Sequence, residues 1–114
     1  MNWYVAKVVF RIFSEGSRKP QFDEHLRLVS ARDFEEAFLK ARIMGLKEED
    51  SFLNDRNETV KWEFINVSEL QPISELKDGS EIYSQIHETE EASAYINFVH
   101  QRAVIMQTLE QPQL

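Results

Sequence analysis

The stretch at residues 76–86, LKDGSEIYSQI, is the segment whose residue types come closest to a ligand-binding loop. Asp78, Gly79 and Ser80 could form a loop that grips a ligand, or a turn that leads into a strand. A loop that cradles phosphate needs several glycines at fixed spacing before a helix, and only Gly79 is present. Asp-Gly is a strong turn signal. The sequence therefore favours a turn followed by a strand at residues 80–86.

Other residues that could bind a metal or take part in catalysis are scattered along the sequence. The three histidines, His25, His87 and His100, are far apart, and no pair has the spacing of a metal site. The acidic run after His87 is typical of a solvated helix start, and the acidic loop at 48–55 lacks the central glycine of a calcium loop. No serine stands in a nucleophile elbow, and the chain has no cysteine. We predict no catalytic residue, metal or cofactor, and the sequence argues against an enzyme.

Aromatic and apolar side chains are the remaining candidates for recognition. The two tryptophans fall on predicted strands that could lie close together. Aromatic rings stack nucleic-acid bases where basic residues surround them, whereas the surroundings here are acidic. Core or interface packing is the ordinary explanation for these aromatic residues, and a binding surface is the more specific one. The candidate interaction surface comprises Trp3, Trp62, Tyr83, Phe98, Ile105 and Leu109.

Composition narrows the class of protein. The 114 residues suit a single domain, 1–114, and 42% are hydrophobic, as in globular proteins. The net charge of −7 and the absence of a basic cluster argue against nucleic acid or an anionic membrane as partner. An acidic domain is steered towards basic partners, although solubility alone also explains the charge. The N-terminal apolar stretch contains Lys7 and Arg11, so it reads as neither signal peptide nor membrane span. We expect a cytoplasmic protein.

The N-terminal half predicts a β-hairpin followed by a helix. Residues 3–13 alternate, with a wholly apolar face that should meet the core, and residues 22–29 form the second strand after a polar loop. Ser30 is expected to open the helix, with Asp33 three residues later as in a capping arrangement. Gly45 is expected to end it in a left-handed conformation. Residues 47–59 read as a long loop or a helical turn plus loop.

The C-terminal half predicts two strands and a closing helix. Residues 60–70 form a strand with a bulge near Phe64, and Pro72 ends it. Thr89 is the expected N-cap of a helix at 89–109. The apolar stripes of this helix together span roughly 200°, about twice what one sheet would cover. We therefore expect the helix to cover apolar surface of the sheet or an interface, and the chain to form a homodimer.

Four segments in order resemble the bacterial domain-of-unknown-function family 4288. They are WYVAKVVF, LRLVSARDFEEAFLKA, VKWEFINVSEL and LKDGSEIYS, which contain the family's Trp-Tyr strand, FEEA-like helix, V-x-W-x-F strand and glycine-led final strand. The resemblance covers about residues 3–86 and leaves the closing helix outside. It implies a fold and a bacterial origin, and it implies no activity.

These patterns together predict one α+β domain of order β-β-α-β-β-α with a mainly antiparallel four-stranded sheet. Two classes of function remain. The first is a non-enzymatic interaction module of bacteria, in a specific version an acidic inhibitor or immunity-type protein that blocks a basic toxin. The second is a small-ligand binder or enzyme with a pocket between sheet and helix.

Overall fold

The computed structural model describes residues 1–109, and these divide into two compact units, Met1–Ser84 and a second that begins at Gln85. The elements are β1 (Asn2–Ser14), β2 (Gln21–Ala31), α1 (Phe34–Lys47), β3 (Asp50–Leu53), β4 (Thr59–Ile73) and α2 (Ala92–Thr108). The predicted α+β class and the order β-β-α-β-β-α are confirmed.

The first unit is built on a four-stranded sheet with the order β2-β1-β4-β3, in which every neighbouring pair is antiparallel. β1 lies at the centre because it combines a long alternating pattern with β-branched and aromatic residues. The predicted hairpin is confirmed, since β1 and β2 pair continuously from Asn2 opposite Ala31 to Ile12 opposite Gln21.

The two faces of this sheet differ in what they meet. Directly opposite residues of antiparallel strands share a face. The closed face, which α1 covers, consists of Tyr4, Ala6, Val8, Phe10, Ile12, Asp23, His25, Arg27, Val29, Ala31, Trp62, Phe64, Val67, Leu70 and Pro72. The open face consists of Trp3, Val5, Lys7, Val9, Arg11, Phe13, Phe22, Glu24, Leu26, Leu28, Ser30, Lys61, Glu63, Asn66, Glu69, Gln71 and Ile73.

The core lies between the closed face and α1, as the apolar face of β1 predicts. Phe10, Val8 and Val29 are its largest fully buried side chains. Two fully buried alanines of α1, Ala37 and Ala41, bring the helix close to the strands. Their small size leaves room for the aromatic residues of the sheet.

The bounds of α1 differ from those predicted. Its N-cap is Asp33, whose side chain accepts a hydrogen bond from the Glu36 amide at 2.8 Å, whereas Ser30 belongs to β2. Gly45 does not end the helix, which runs on to Lys47. A Cβ atom at Gly45 would overlap the ring of Phe64. Glycine is therefore required for close helix–sheet packing at this position.

The fourth strand is not where the sequence predicted it. β3 (Asp50–Leu53) lies inside the stretch read as a loop, and it pairs with the start of β4. Residues 80–86 form no strand. The turn before them is confirmed, because Gly79 has a φ of +85° and the Ser80 amide donates to the Lys77 carbonyl at 3.0 Å. The ligand-loop reading of this stretch has no support in that geometry.

β4 carries the predicted bulge and is longer than predicted. The register against β1 shifts twice, which leaves Ile65 and Ser68 without a directly opposite partner. The shift at Ile65 places both Phe64 and Val67 on the closed face, and without it the two side chains would point to opposite sides. Pro72 does not end the strand, which continues to Ile73. It is tolerated because β3 pairs only with the first residues of β4 and leaves an edge beside Pro72.

The second unit contains α2, which starts later than predicted. Its N-cap is Glu91, and Thr89 lies before the helix, where its hydroxyl accepts a hydrogen bond from the Glu91 amide at 3.2 Å. The His87 ring stacks on Tyr95 with ring centroids 4.9 Å apart. Every side chain of α2 is exposed. The expectation that this helix covers a sheet or an interface stays a prediction.

Candidate interaction surface

The open face carries an exposed apolar patch that follows the strand pair β1–β2. Leu26 and Leu28 are each 48% exposed, and Trp3 beside them is 43% exposed. Lys7 lies among them and reaches Glu24 at 3.8 Å, a partly exposed ion pair. The patch is thus apolar at its centre and charged beside it, as is common for surfaces that bind proteins.

Residues 81–84 cover only one end of the open face. The Gln71 side chain donates to the Ser84 carbonyl at 2.9 Å and accepts from the Ser84 amide at 3.4 Å. Tyr83 lies below the Lys7 ammonium, 5.1 Å from Nζ to the ring centroid. This coverage agrees with the burial of Val5 and Ile73, which are 3% and 7% exposed on the same face. Tyr83 and Trp3 therefore lie on one face, as members of a common surface must.

The outer edge of β2 is the second feature of this region. Among the described residues β2 pairs with no strand other than β1, so no strand occupies its outer edge, although the Ser30 carbonyl accepts a hydrogen bond from the Lys40 ammonium. An unpaired edge next to exposed leucines can add a strand from a partner, with main-chain hydrogen bonds for affinity.

Trp62 does not belong to that surface. It lies opposite Ile12 on the closed face, whereas Trp3 lies opposite Ile73, at the other end of the same strand pair. The indole Nε1 donates to Asp23 at 3.1 Å, and the ring of Phe52 stacks on it at 5.8 Å. The two tryptophans are thus on neighbouring strands, as expected, but on opposite faces and at opposite ends.

A polar cluster that the sequence analysis missed surrounds Trp62. His25 Nε2 lies 2.7 Å from Asp23 Oδ2, Arg27 donates to His25 Nδ1 at 3.0 Å, and Arg27 reaches Glu48 at 2.5 Å. The spacing of residues 23, 25 and 27 places them on one face of a strand, and this signal was available in the sequence. Both ring nitrogens of His25 are engaged. The ring therefore has no free nitrogen with which to act as a general base.

The charge of Asp23 depends on this cluster. Desolvation by burial is the largest single effect on its pKa and acts to raise it. The hydrogen bonds from Trp62 and His25, with the charges of His25 and Arg27, together outweigh burial and hold the pKa of Asp23 below its ordinary value. The carboxylate is therefore ionised and fixed at neutral pH, which suits a structural clip between β2, β4 and the end of α1.

Of the other three predicted surface residues, Phe98 and Ile105 lie on α2, and Leu109 is the C-cap residue that follows it. Phe98, Ile105 and Leu109 are 57%, 44% and 52% exposed and share one side of the helix. Arg102 stands between them on that side and is the one charged residue of Ala92–Thr108. Most helical stability in proteins comes from packing of an apolar side, so this exposed side is suited to a partner surface.

Metal and membrane features complete the description of residues 1–109. Within these residues no group of three or more acidic or histidine side chains could hold a metal ion. Neither α1 nor α2 is long and apolar enough to cross a membrane.

The fold places this chain among α+β proteins in which one helix covers a single face of an antiparallel four-stranded sheet. The chain belongs to the family described as Domain of unknown function (DUF4288), whose model matches residues 3–84, so the resemblance seen in the sequence is confirmed. No curated protein matches the chain. No solved structure matches it either.

Proposed function

We propose that this protein is a non-enzymatic protein-interaction module, and that it binds its partner through the open face and the adjoining edge of β2. One observation carries the proposal: Leu26 and Leu28 are half-exposed beside a strand edge that no further strand occupies in the described structure. Covering the exposed halves of the two leucine side chains contributes roughly 0.7–1.5 kcal/mol each, and main-chain hydrogen bonds at the strand edge add to this.

The net charge of −7 supports a basic partner. Long-range attraction between opposite charges speeds association at low ionic strength. In the specific version of this proposal, the protein is a cytoplasmic bacterial inhibitor or immunity-type protein that blocks a basic toxin.

The alternative, a small-ligand site or active site between the sheet and α1, has less support. Phe10, Ala37 and Ala41 fill that space, and the Phe64 ring meets the backbone of Gly45 directly. Ligand sites need an open cleft with a few converging polar groups.

The binding experiment is a pull-down of tagged full-length protein from its native cells, with bound proteins quantified by mass spectrometry. A stoichiometric basic partner that is lost with Leu26→Glu/Leu28→Glu supports the proposal. The matched control is Leu39→Glu/Ile43→Glu on α1, where both residues are 51% exposed. Equal loss in both variants, or recovery of the bait alone, contradicts the proposed surface.

We also propose self-association through α2, because its broad apolar side exceeds what a single surface of one chain needs. Ile105→Glu with Leu109→Glu should convert a dimer to a monomer in light scattering, with the fold retained. Val104→Glu is the control, since Val104 is 57% exposed and lies on the side that carries Asn97 and Gln101. A wild-type monomer, or loss of the folded state in the double variant, contradicts the dimer.

A further inference from the structure

A small cavity at the end of the β1–β2 hairpin brings one cation of β1 together with two adjacent cations of the following loop. It has a volume of about 110 Å³, and Arg11, Arg18 and Lys19 line it together with Ser14 and Ser17. No carboxylate lines it, although the chain has 20 acidic residues against 13 basic ones. The sequence shows only Arg18 next to Lys19, and the strand β1 adds Arg11.

These three cations have no acidic partner inside the described structure. None of the salt bridges among residues 1–109 involves Arg11, Arg18 or Lys19. Glu63 stands opposite Arg11 in the sheet, but its carboxylate lies 3.8 Å from Lys61 Nζ. Their positive charges therefore reinforce one another at the cavity.

Arg11 also has an unused donor. Its Nε atom is buried and has no hydrogen-bond partner. A buried N–H group without a partner costs free energy. The guanidinium is held in place by the ring of Phe13, 4.3 Å from the guanidinium carbon to the ring centroid. An arginine fixed in this way loses little entropy when it binds an oxyanion.

The loop is ordered by its own hydrogen bonds. The Ser17 amide donates to the Ser14 carbonyl at 3.0 Å, and the Ser17 hydroxyl donates to the Lys19 carbonyl at 3.0 Å. Arg18 and Lys19 are thus carried on a defined turn beside Arg11.

We propose that this cavity binds a phosphate group, either free phosphate or the phosphate of a small ester. Three cations match its charge, and guanidinium groups match its oxygen geometry. The volume is well above the roughly 10–15 Å³ that a single water molecule needs. It therefore suits one tetrahedral group of five non-hydrogen atoms. Phe22 lies outside the cavity lining, and its exposed ring, 6.0 Å from the Arg11 guanidinium carbon to the ring centroid, is apolar surface near the cavity for the rest of an ester.

The test is an NMR titration of ¹⁵N-labelled full-length protein with inorganic phosphate and, separately, with phenyl phosphate at constant ionic strength. We expect saturable shifts of the Ser17 and Arg18 amides with at least one of the two ligands. Arg18→Ala/Lys19→Ala should weaken the affinity at least tenfold, and Arg11→Met should do so while it keeps the packing on Phe13. Tighter binding of phenyl phosphate would identify an ester as the ligand, and equal binding would identify the free anion.

The matched control is Arg42→Ala/Lys47→Ala, which removes two cations from α1 that form no salt bridge in the described residues. This variant should bind as the wild type does. Shifts that stay linear with both ligands, or an equal loss of affinity in both double variants, would overturn the site, because charge screening alone produces them. The result is independent of the open-face proposal, since no partner protein is present.

Discussion

The two faces of the sheet differ in burial, although their residues alternate along the same strands. Phe10 is 1% exposed under α1, and its neighbour in the sequence Arg11 lies on the open face. The closed face is completed inside the chain by Ala37 and Ala41. The open face is covered at one end by residues 81–84 and leaves Leu26 and Leu28 half-exposed. The difference agrees with the proposal that the closed face serves stability and the open face serves recognition.

The largest expected contrast comes from one phenylalanine on each face. Phe10→Ala should lower the free energy of unfolding by about 3–5 kcal/mol, because it leaves a cavity in the core. Phe22→Ala should lower it by less than about 1 kcal/mol, since Phe22 is 57% exposed. Urea denaturation of both variants measures the contrast. Similar losses would show that the open face is part of the core.

The sign of the stability change in Gly45→Ala tests how closely α1 packs on the closed face. In an exposed helix, replacing glycine by alanine stabilises by up to about 1 kcal/mol. Here the new methyl group would overlap the Phe64 ring, so Gly45→Ala should destabilise by about 1–3 kcal/mol. In the Phe64→Leu background, Gly45→Ala should lower the stability by less than it does in the wild type. A stabilised Gly45→Ala variant would mean that α1 packs less closely.

The start of α1 gives a smaller effect. Asp33→Ala should cost about 1 kcal/mol, because the Glu36 amide loses its acceptor. Ser30→Ala is the matched control and should change stability by less than about 0.5 kcal/mol, since Ser30 lies on the open face of β2. Thermal unfolding of both variants checks the assignment. The reverse order would restore Ser30 as the cap.

The smallest of the expected effects is a loss of stability in acid, where the contact between Asp23 of β2 and Trp62 of β4 weakens. The pKa of Asp23 is lower in the folded chain than its ordinary value of 3.8. The unfolded chain therefore takes up a proton first, and the stabilisation present above pH 3.8 is lost as the pH falls through the folded pKa. Between pH 5 and about 2.5 the wild type should lose more stability than Asp23→Asn. Parallel pH profiles would show that Asp23 is not stabilised by its neighbours.

Much of the fold was predictable, because in long periodic segments the spacing of the apolar residues identifies the type of element. The alternation in β1 and the apolar spacing in α1 each identify an element and its buried side. The bulge near Phe64 was visible as a change of face. The register shifts at Ile65 and Ser68 are its structural basis.

The errors have identifiable causes. β3 is four exposed residues long and shows no burial pattern, so only its pairing with β4 defines it. Residues 80–86 alternate like a strand, and residues 81–84 pack on the open face without joining the sheet. Gly45 looks like a helix terminator because the sequence does not reveal the ring of Phe64 above it.

The candidate site was predictable only in part. Trp3 and Tyr83 share the open face, whereas Trp62 lies on the closed face beside Asp23. The sequence gives the type of these side chains but not the register that assigns each one to a face. Leu26 and Leu28 stand two residues apart on one strand and so share a face, but their exposure depends on which face α1 covers.

Photo-crosslinking in the native cells tests the central claim most directly. A photoreactive amino acid is placed at Leu28 on the open face or at Leu39 on α1, which are 48% and 51% exposed. The account predicts a discrete adduct with another protein from position 28 and none from position 39. Adducts from position 39 alone, or equal adducts from both, would contradict the assignment of the open face to recognition.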